Sequence, residues 1–197
     1  MKRMISVICC CILFLILGCK KDDSILQPTS FSNTIFPLAV GNTWNFTQHS
    51  YDSTGTITSS ESLSYVIVRD TIINNSKWYM LWGSLFLLAN RDSGLYEYLN
   101  AGQKLFYKYP ANAQDSFYIS ATYGYLHVKS INISITVPAG TFNCYAYESY
   151  IPIAGATEID YLCPGVGMIK IENYQSAPNS RTQYLSGTSE LLSFVLK

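Results

Sequence analysis

The sequence predicts an all-β protein: an antiparallel, strongly curved sheet, a half-barrel or barrel, built from about a dozen short strands. Three observations predict it. Tyr, Ser, Thr, Asn and Ile dominate the chain, with 16 tyrosines and only 13% charged residues, a composition of strands and turns. Apolar and polar residues alternate with period two in one segment after another. Turn chemistry interrupts them at short intervals, and beyond the first twenty or so residues no capped 3.6-residue apolar stripe occurs. Open twisted sheets rarely exceed about ten strands, so a sheet of this size has to curl or close.

Thr43–Tyr51 reads as the first strand, ended by Asp52-Ser53-Thr54-Gly55. In Thr56–Arg69, Leu63, Tyr65 and Ile67 alternate with Ser62 and Ser64, and Val66 and Val68 make the latter half read as buried on both faces. Asn74-Asn75-Ser76 turns the chain into Lys77–Asn90. Its apolar run Trp78–Leu88 is long enough for a buried helix. It reads as one strand because aromatics crowd it and turn signals flank it. Leu95–Leu99 and Lys104–Tyr109 then pair across Asn100-Ala101-Gly102-Gln103. After the Pro110–Gln114 loop come Ser116–Thr122 and Tyr125–Val137, broken by Pro138-Ala139-Gly140. Phe142–Tyr150, Thr157–Leu162, Val166–Tyr174, Arg181–Leu185 and Glu190–Leu196 complete the set.

The first residues are of another kind. Lys2 and Arg3 precede an apolar stretch, Met4–Leu17, and Gly18 stands before Cys19. That layout is a secretory signal, too short for the about 20 apolar residues that span a bilayer. A small residue directly before cysteine resembles the lipobox of bacterial lipoproteins, which implies acylation of Cys19 and a membrane partner held through lipid. Two or more acyl chains anchor stably where one of about 14 carbons does not. The expected organisation is a signal peptide over 1–18, a polar tether over 19–33 and a single antiparallel β domain over 34–197. Lys20 stands where an Asp would resemble an inner-membrane retention signal, which favours the outer membrane. Lys21-Asp22-Asp23 resembles the export tag of surface lipoproteins of the Bacteroidota, leaving the surface and the periplasmic face both open.

Cleavage before Cys19 removes Lys2 and Arg3 from 13 basic residues, leaving 11 against 13 acidic ones. With no Lys/Arg cluster beyond Lys20-Lys21, nucleic acid is not an expected partner. Cys144 and Cys163 remain as non-lipidated cysteines, in a compartment where disulfides persist. Two cysteines without a nearby histidine pair make no four-ligand zinc site, so no metal and no cofactor are expected. In a tight antiparallel hairpin opposed positions have a constant sum. With the reversal at Pro152-Ile153-Ala154-Gly155 that sum is 307, which sets Glu148 against Ile159, Ala146 against Tyr161 and Cys144 against Cys163. A disulfide there is one expectation and two buried thiols the other; the bridge requires Cβ atoms to close to about 3.5–4.5 Å.

Three landmarks carry a family resemblance: Phe36-Pro37-Leu38-Ala39-Val40-Gly41-Asn42-Thr43-Trp44, Val137-Pro138-Ala139-Gly140-Thr141-Phe142 and Pro164-Gly165-Val166-Gly167-Met168-Ile169-Lys170. In order and spacing they resemble uncharacterised lipoproteins and exported proteins of the Bacteroidota related to a periplasmic domain of unknown function. The resemblance covers most of residues 36–197. It implies a mainly antiparallel, strongly curved sheet akin to the half-barrels of lipoprotein carriers, and brings no activity or site. Cys163 stands where such relatives are expected to be small or polar, which would make a disulfide peculiar to this protein. Physically, Pro-Ala-Gly and Pro-Gly-Val-Gly are turn chemistry, and Trp44 reads as a core aromatic whose indole N–H finds a carbonyl.

No catalytic set is expected. His49 lies beside Ser50 and Asp52, but adjacent strand residues point to opposite faces, and no nucleophile-elbow sequence occurs. His127, alternating with Tyr125 and Lys129, reads as a surface imidazole. Glu158 and Asp160 share a face, at a spacing near 6.5 Å that glycosidase chemistry tolerates. Neighbours on one short strand more often face solvent, and that reading is preferred to an envelope hydrolase. Tyr96/Tyr98, Tyr107/Tyr109, Tyr123/Tyr125 and Tyr145/Tyr147 each line one face of a strand. They read as an aromatic ladder or core first. As a groove for an apolar ligand or glycan, Tyr96, Tyr98, Tyr107 and Tyr109 are the candidates. Asp23-Ser24-Ile25, Asp52-Ser53-Thr54 and Asp70-Thr71-Ile72 resemble the acidic O-glycosylation sequon of Bacteroidota, marking Ser24, Ser53 and Thr71 in expected linkers or turns. The function expected is a non-enzymatic, lipid-anchored outer-membrane protein that is structural or binds a ligand.

Overall fold

The computed structural model describes residues 33–82, 86–99, 102–120, 124–152, 154–177 and 182–197. Cys19 and Ser24 lie outside them. The alternating pattern folds into twelve antiparallel strands with no helix among the described residues, in one nearly closed, barrel-shaped sheet. The first half is β1 (Thr43–Tyr51), β2 (Ile57–Ile73), β3 (Ser76–Trp82), β4 (Leu87–Arg91), β5 (Gly94–Leu99) and β6 (Gly102–Lys108). The second is β7 (Ser116–Ser120), β8 (Gly124–Val137), β9 (Gly140–Ile151), β10 (Ala156–Cys163), β11 (Gly167–Ser176) and β12 (Gln183–Val195). Each half is an up-and-down meander, and β1 pairs with β12 to join them. The two ends of the sheet are therefore β6 and β7, strands consecutive in the chain that lack a ladder between them.

Side chains close that seam. Lys108 reaches Asp115 at 2.8 Å, and the Tyr147 hydroxyl donates to the Lys108 carbonyl at 2.7 Å. Tyr107 meets Tyr147 edge-on with ring centres 5.1 Å apart, and Tyr109 meets Tyr145 at 5.3 Å. The tyrosine pairs of β9 and of the β6 end thus form an aromatic ladder, as their spacing suggests. It runs across the barrel, between strands that are not neighbours in the sheet.

Two boundaries differ from the sequence reading. Lys77–Asn90 is not one strand but two, β3 and β4, with Tyr79 opposite Leu88 and Met80 opposite Leu87. The only signal of that reversal is Gly83-Ser84, set within an otherwise apolar run. Conversely, Arg181–Leu185 and Glu190–Leu196 are not separate: β12 runs through Ser186-Gly187. Its pairing with β11 slips at Asn173/Tyr174, so the glycine serves a bulge and not a turn. Nor is the latter half of β2 buried on both faces. Val68 is 41% and Ile72 71% exposed, because among the described residues no second layer covers the outside of the sheet. Asn74 and Asn75, with φ of 49° and 60°, form the two-residue hairpin into β3.

The interior is filled at one end by the residues that lead into β1. The Trp44 ring is fully buried, packs on Phe36 at 4.6 Å, and donates its indole N–H to the Val166 carbonyl at 2.7 Å. Burying side chains such as Trp44, Phe46, Phe142 and Leu191 stabilises by about 1.5–3 kcal/mol each. Two of the landmarks therefore meet in structure, with Phe36 lying over Gly167, while the third is tied to β12 by the Ala139 N–H, which donates to the Leu191 carbonyl at 3.0 Å.

Candidate functional site

Toward the middle of the barrel the packing leaves a cavity of about 240 Å³. Alternation on β10 sends Glu158 and Asp160 into it while Ile159 points away. This corrects the expectation that the carboxylate pair faces solvent. The period-two pattern shows that the two share a face, and the face they share is the interior, opposite Ser149 and Tyr147 of β9. Glu97 enters from β5 and Tyr107 from β6, while Phe36, Leu88, Phe106, Leu126 and Met168 belong to the largely apolar wall. Glu97 was not legible as a site residue. Its one signal is that it is the sole charge in Gly94–Leu99.

A bulge places Tyr107. Leu95 pairs with Tyr107 but Tyr96 pairs with Leu105, so Phe106 is an extra residue and both Phe106 and Tyr107 reach the cavity. Gly94 permits the approach: its φ is +137°, and a Cβ there would lie 2.0 Å from the Tyr107 carbonyl oxygen. The other three tyrosines proposed for a ligand groove are not in the cavity wall. Tyr96 and Tyr98 alternate with Leu95 and Glu97 and so lie on the outer face, where Tyr98 packs against Trp78 at 5.2 Å. Tyr109 lies past the end of β6, against Tyr145.

Asp160 is 3% exposed. Its Oδ2 accepts a hydrogen bond from the Tyr107 hydroxyl at 2.7 Å, whereas its Oδ1 is buried and has no partner. Burial, reinforced by Glu158 alongside, holds the Asp160 carboxyl well above the usual carboxylate range, against a smaller downward pull from Tyr107. Burial likewise raises Glu158, and raises Glu97 in spite of the opposing Lys104 charge. The Tyr107 hydroxyl is pushed up by burial and by both carboxyls of β10. The cavity is thus a largely apolar space with an acidic wall whose acids favour their neutral forms.

The remaining candidates lie elsewhere. His49 Nδ1 and Ser60 Oγ are 2.8 Å apart on the exposed outer surface, and Ser50 points to the other face. His127 is exposed. Ser53 is exposed in the turn after β1, where the Asp52 carboxylate accepts from the Thr54 and Thr56 N–H groups. Thr71 is not in a turn: it is half-buried within β2, opposite Trp78. The β9–β10 ladder keeps the predicted register through Ala146 opposite Tyr161 and Tyr145 opposite Leu162, and ends one rung before Cys144 and Cys163. They are nonetheless two buried free thiols, not a disulfide. Each sulfur turns to a carbonyl of its own strand end, Cys144 to Phe142 and Cys163 to Pro164, both at 3.7 Å. Among the described residues no cluster of His, Cys, Asp and Glu is arranged to hold a metal.

The chain resembles known proteins in part. A profile of the DUF3108-like family matches residues 127–189, which contain most of β8, β9 to β11 and the first half of β12. The fold is similar to that of a Bacteroides fragilis protein inferred to be exported and described as having a YmcC-like fold. The TM-score is 0.51 at 13% identity, over 82% of this chain and 98% of that one. A Parabacteroides distasonis protein inferred to be a lipoprotein aligns with a TM-score of 0.41 at 17% identity, over 86% of this chain and 100% of that one. No curated protein matches the sequence. What the chain shares with the first neighbour is its fold, a twelve-stranded barrel in this case with an acidic cavity inside.

Proposed function

We propose that this is an exported envelope protein, anchored to the outer membrane through lipid on Cys19, whose barrel binds a small, largely apolar ligand and catalyses no reaction. The signal layout before Cys19 and the exported neighbour of similar fold support the location. The cavity supports binding over a purely structural role, since a structural barrel has no need of an unfilled centre. Apolar cavities of about 150 Å³ in other proteins take up benzene, so about 240 Å³ suits one ring or a short chain with a head group. The apolar wall favours such a ligand over a glycan. A hydrolase would need its two carboxyls in opposite protonation states across a wet cleft, whereas burial raises both here.

Toluene is the probe. It is expected to raise the thermal midpoint of the wild-type protein and to leave Leu126→Trp, which fills the cavity, unshifted; Ile119→Phe serves as a second blocking variant. An unshifted wild type would overturn the ligand-binding reading.

A further inference from the structure

Among the described residues three carboxyl groups line the cavity, from Glu97, Glu158 and Asp160, and no Lys, Arg or His joins them in its wall. We infer that the ligand is a small organic cation, an ammonium group on a compact apolar body, with its N–H donors received by Asp160 and Glu158. The inference rests on the ligand-binding reading above and adds the chemistry of the head group.

Asp160 carries it. One carboxyl oxygen is taken by Tyr107, and the other is buried with nothing to accept from. Buried acceptors are nearly always satisfied in native proteins, so an orphan at the wall of a cavity calls for a donor. Glu158 stands two residues along on the same face, which makes the acceptor a pair of carboxyls. An ammonium group supplies up to three donors and the charge that the pair lacks. A carboxylate ligand is acceptor-only and brings no donor for the Asp160 oxygen. An alcohol could satisfy the Asp160 oxygen but brings no charge to offset the pair.

The wall suits the rest of such a molecule. Phe36, Tyr65, Phe86, Phe106 and Tyr107 present rings around the space, and aromatic faces attract cations, more so where water is excluded. Burial favours the neutral forms of the acids and a bound cation their ionised forms, so binding is expected to release protons. The titratable groups facing the pair are Tyr65 from β2, Glu97 from β5 with Lys104 opposite it, Tyr107 from β6 and Tyr147 from β9. A bound cation draws on the ionised forms of the pair and of Glu97, and protonation competes with it. Affinity should therefore rise from acid toward neutral pH.

Calorimetric titration with benzylamine, benzyl alcohol and benzoate tests this, because the three share one apolar body and differ in the head. Near neutral pH benzylamine is expected to bind at least about tenfold more tightly than benzyl alcohol, the range for a hydrogen bond to a charged group, and benzoate is expected not to bind. Its heat should depend on the buffer, reporting proton release. Asp160→Asn and Glu158→Gln, each unfolding in one cooperative transition, should lose the amine preference and the proton release. Equal affinity for amine and alcohol, or an amine preference that survives both substitutions, would overturn the cation inference while leaving apolar binding in place. Failure of all three probes together with toluene would overturn both readings.

Discussion

Asp160 illustrates how a functional side chain works against the fold that holds it. Its usual pKa is 3.8, and burial beside Glu158 raises it well above that value in the folded chain. Below the ordinary value both states bind the proton and the group is neutral to stability. Above it the unfolded chain ionises while the folded one keeps its proton, so stability falls as pH rises toward the folded value. Asp160→Asn keeps the acceptor for Tyr107 and removes that penalty. It is expected to raise the thermal midpoint near neutral pH, with the gain vanishing in acid below about pH 4; an equal gain at both would refute the assignment. The cysteines give a second prediction at this scale. Burial pushes the Cys163 thiol up to about 11 and raises Cys144 further, and a thiol is a poor nucleophile when it is not ionised. Iodoacetamide should leave both unmodified in the folded protein and label both after unfolding without reductant. Labelling of neither after unfolding would show a bridge. The hairpin arithmetic was legible in the sequence here, because register follows from turn position. Side-chain rotamers, which decide whether two opposed sulfurs meet, leave no trace in it.

At the scale of elements, period two says which residues share a face but not which face is inside. That is why the strands of Thr43–Tyr51 and Ala156–Cys163 were readable while the direction of Glu158 and Asp160 was not. The direction depends on the closure of the whole sheet. Bulges were equally hidden: the extra residue Phe106 rotates Tyr107 inward, away from the face of Tyr96 and Tyr98. Turn landmarks fared better, because their chemistry is local. Gly167 sits at φ +98°, and a Cβ there would approach the Phe36 ring to 3.0 Å. Gly167→Ala should therefore strain the backbone and press on the ring that lies between Trp44 and the cavity. The expected loss is about 1–3 kcal/mol, read as a lower urea midpoint with an unchanged slope. An unchanged midpoint would mean that the turn relaxes without moving Phe36.

For the whole molecule, the distribution of polarity decides how it can meet a membrane. The interior is largely apolar apart from the three carboxyls of the cavity, while the outer surface carries polar ladders beside exposed apolar side chains such as Ile72: Asn45 with Ser193 at 3.0 Å and with Ser64 at 2.7 Å, Thr136 with Thr141 at 3.0 Å, Lys129 with Glu148 at 2.6 Å. A membrane-spanning barrel presents the reverse, an apolar band outward and a polar lumen. Those strands turn polar ladders outward, and the attachment proposed above lies outside the sheet. The proposed anchor is Cys19, because two or more acyl chains hold a protein at a bilayer where the about 14 residues of polar tether could not. The full-length chain is expected to partition into the detergent phase of a Triton X-114 extract. Cys19→Ala should move it to the aqueous phase while leaving the thermal midpoint of the barrel unchanged, since Cys19 belongs to none of the twelve strands described. If the variant still partitions with detergent, the attachment resides in the folded domain and the lipid-anchor reading is wrong.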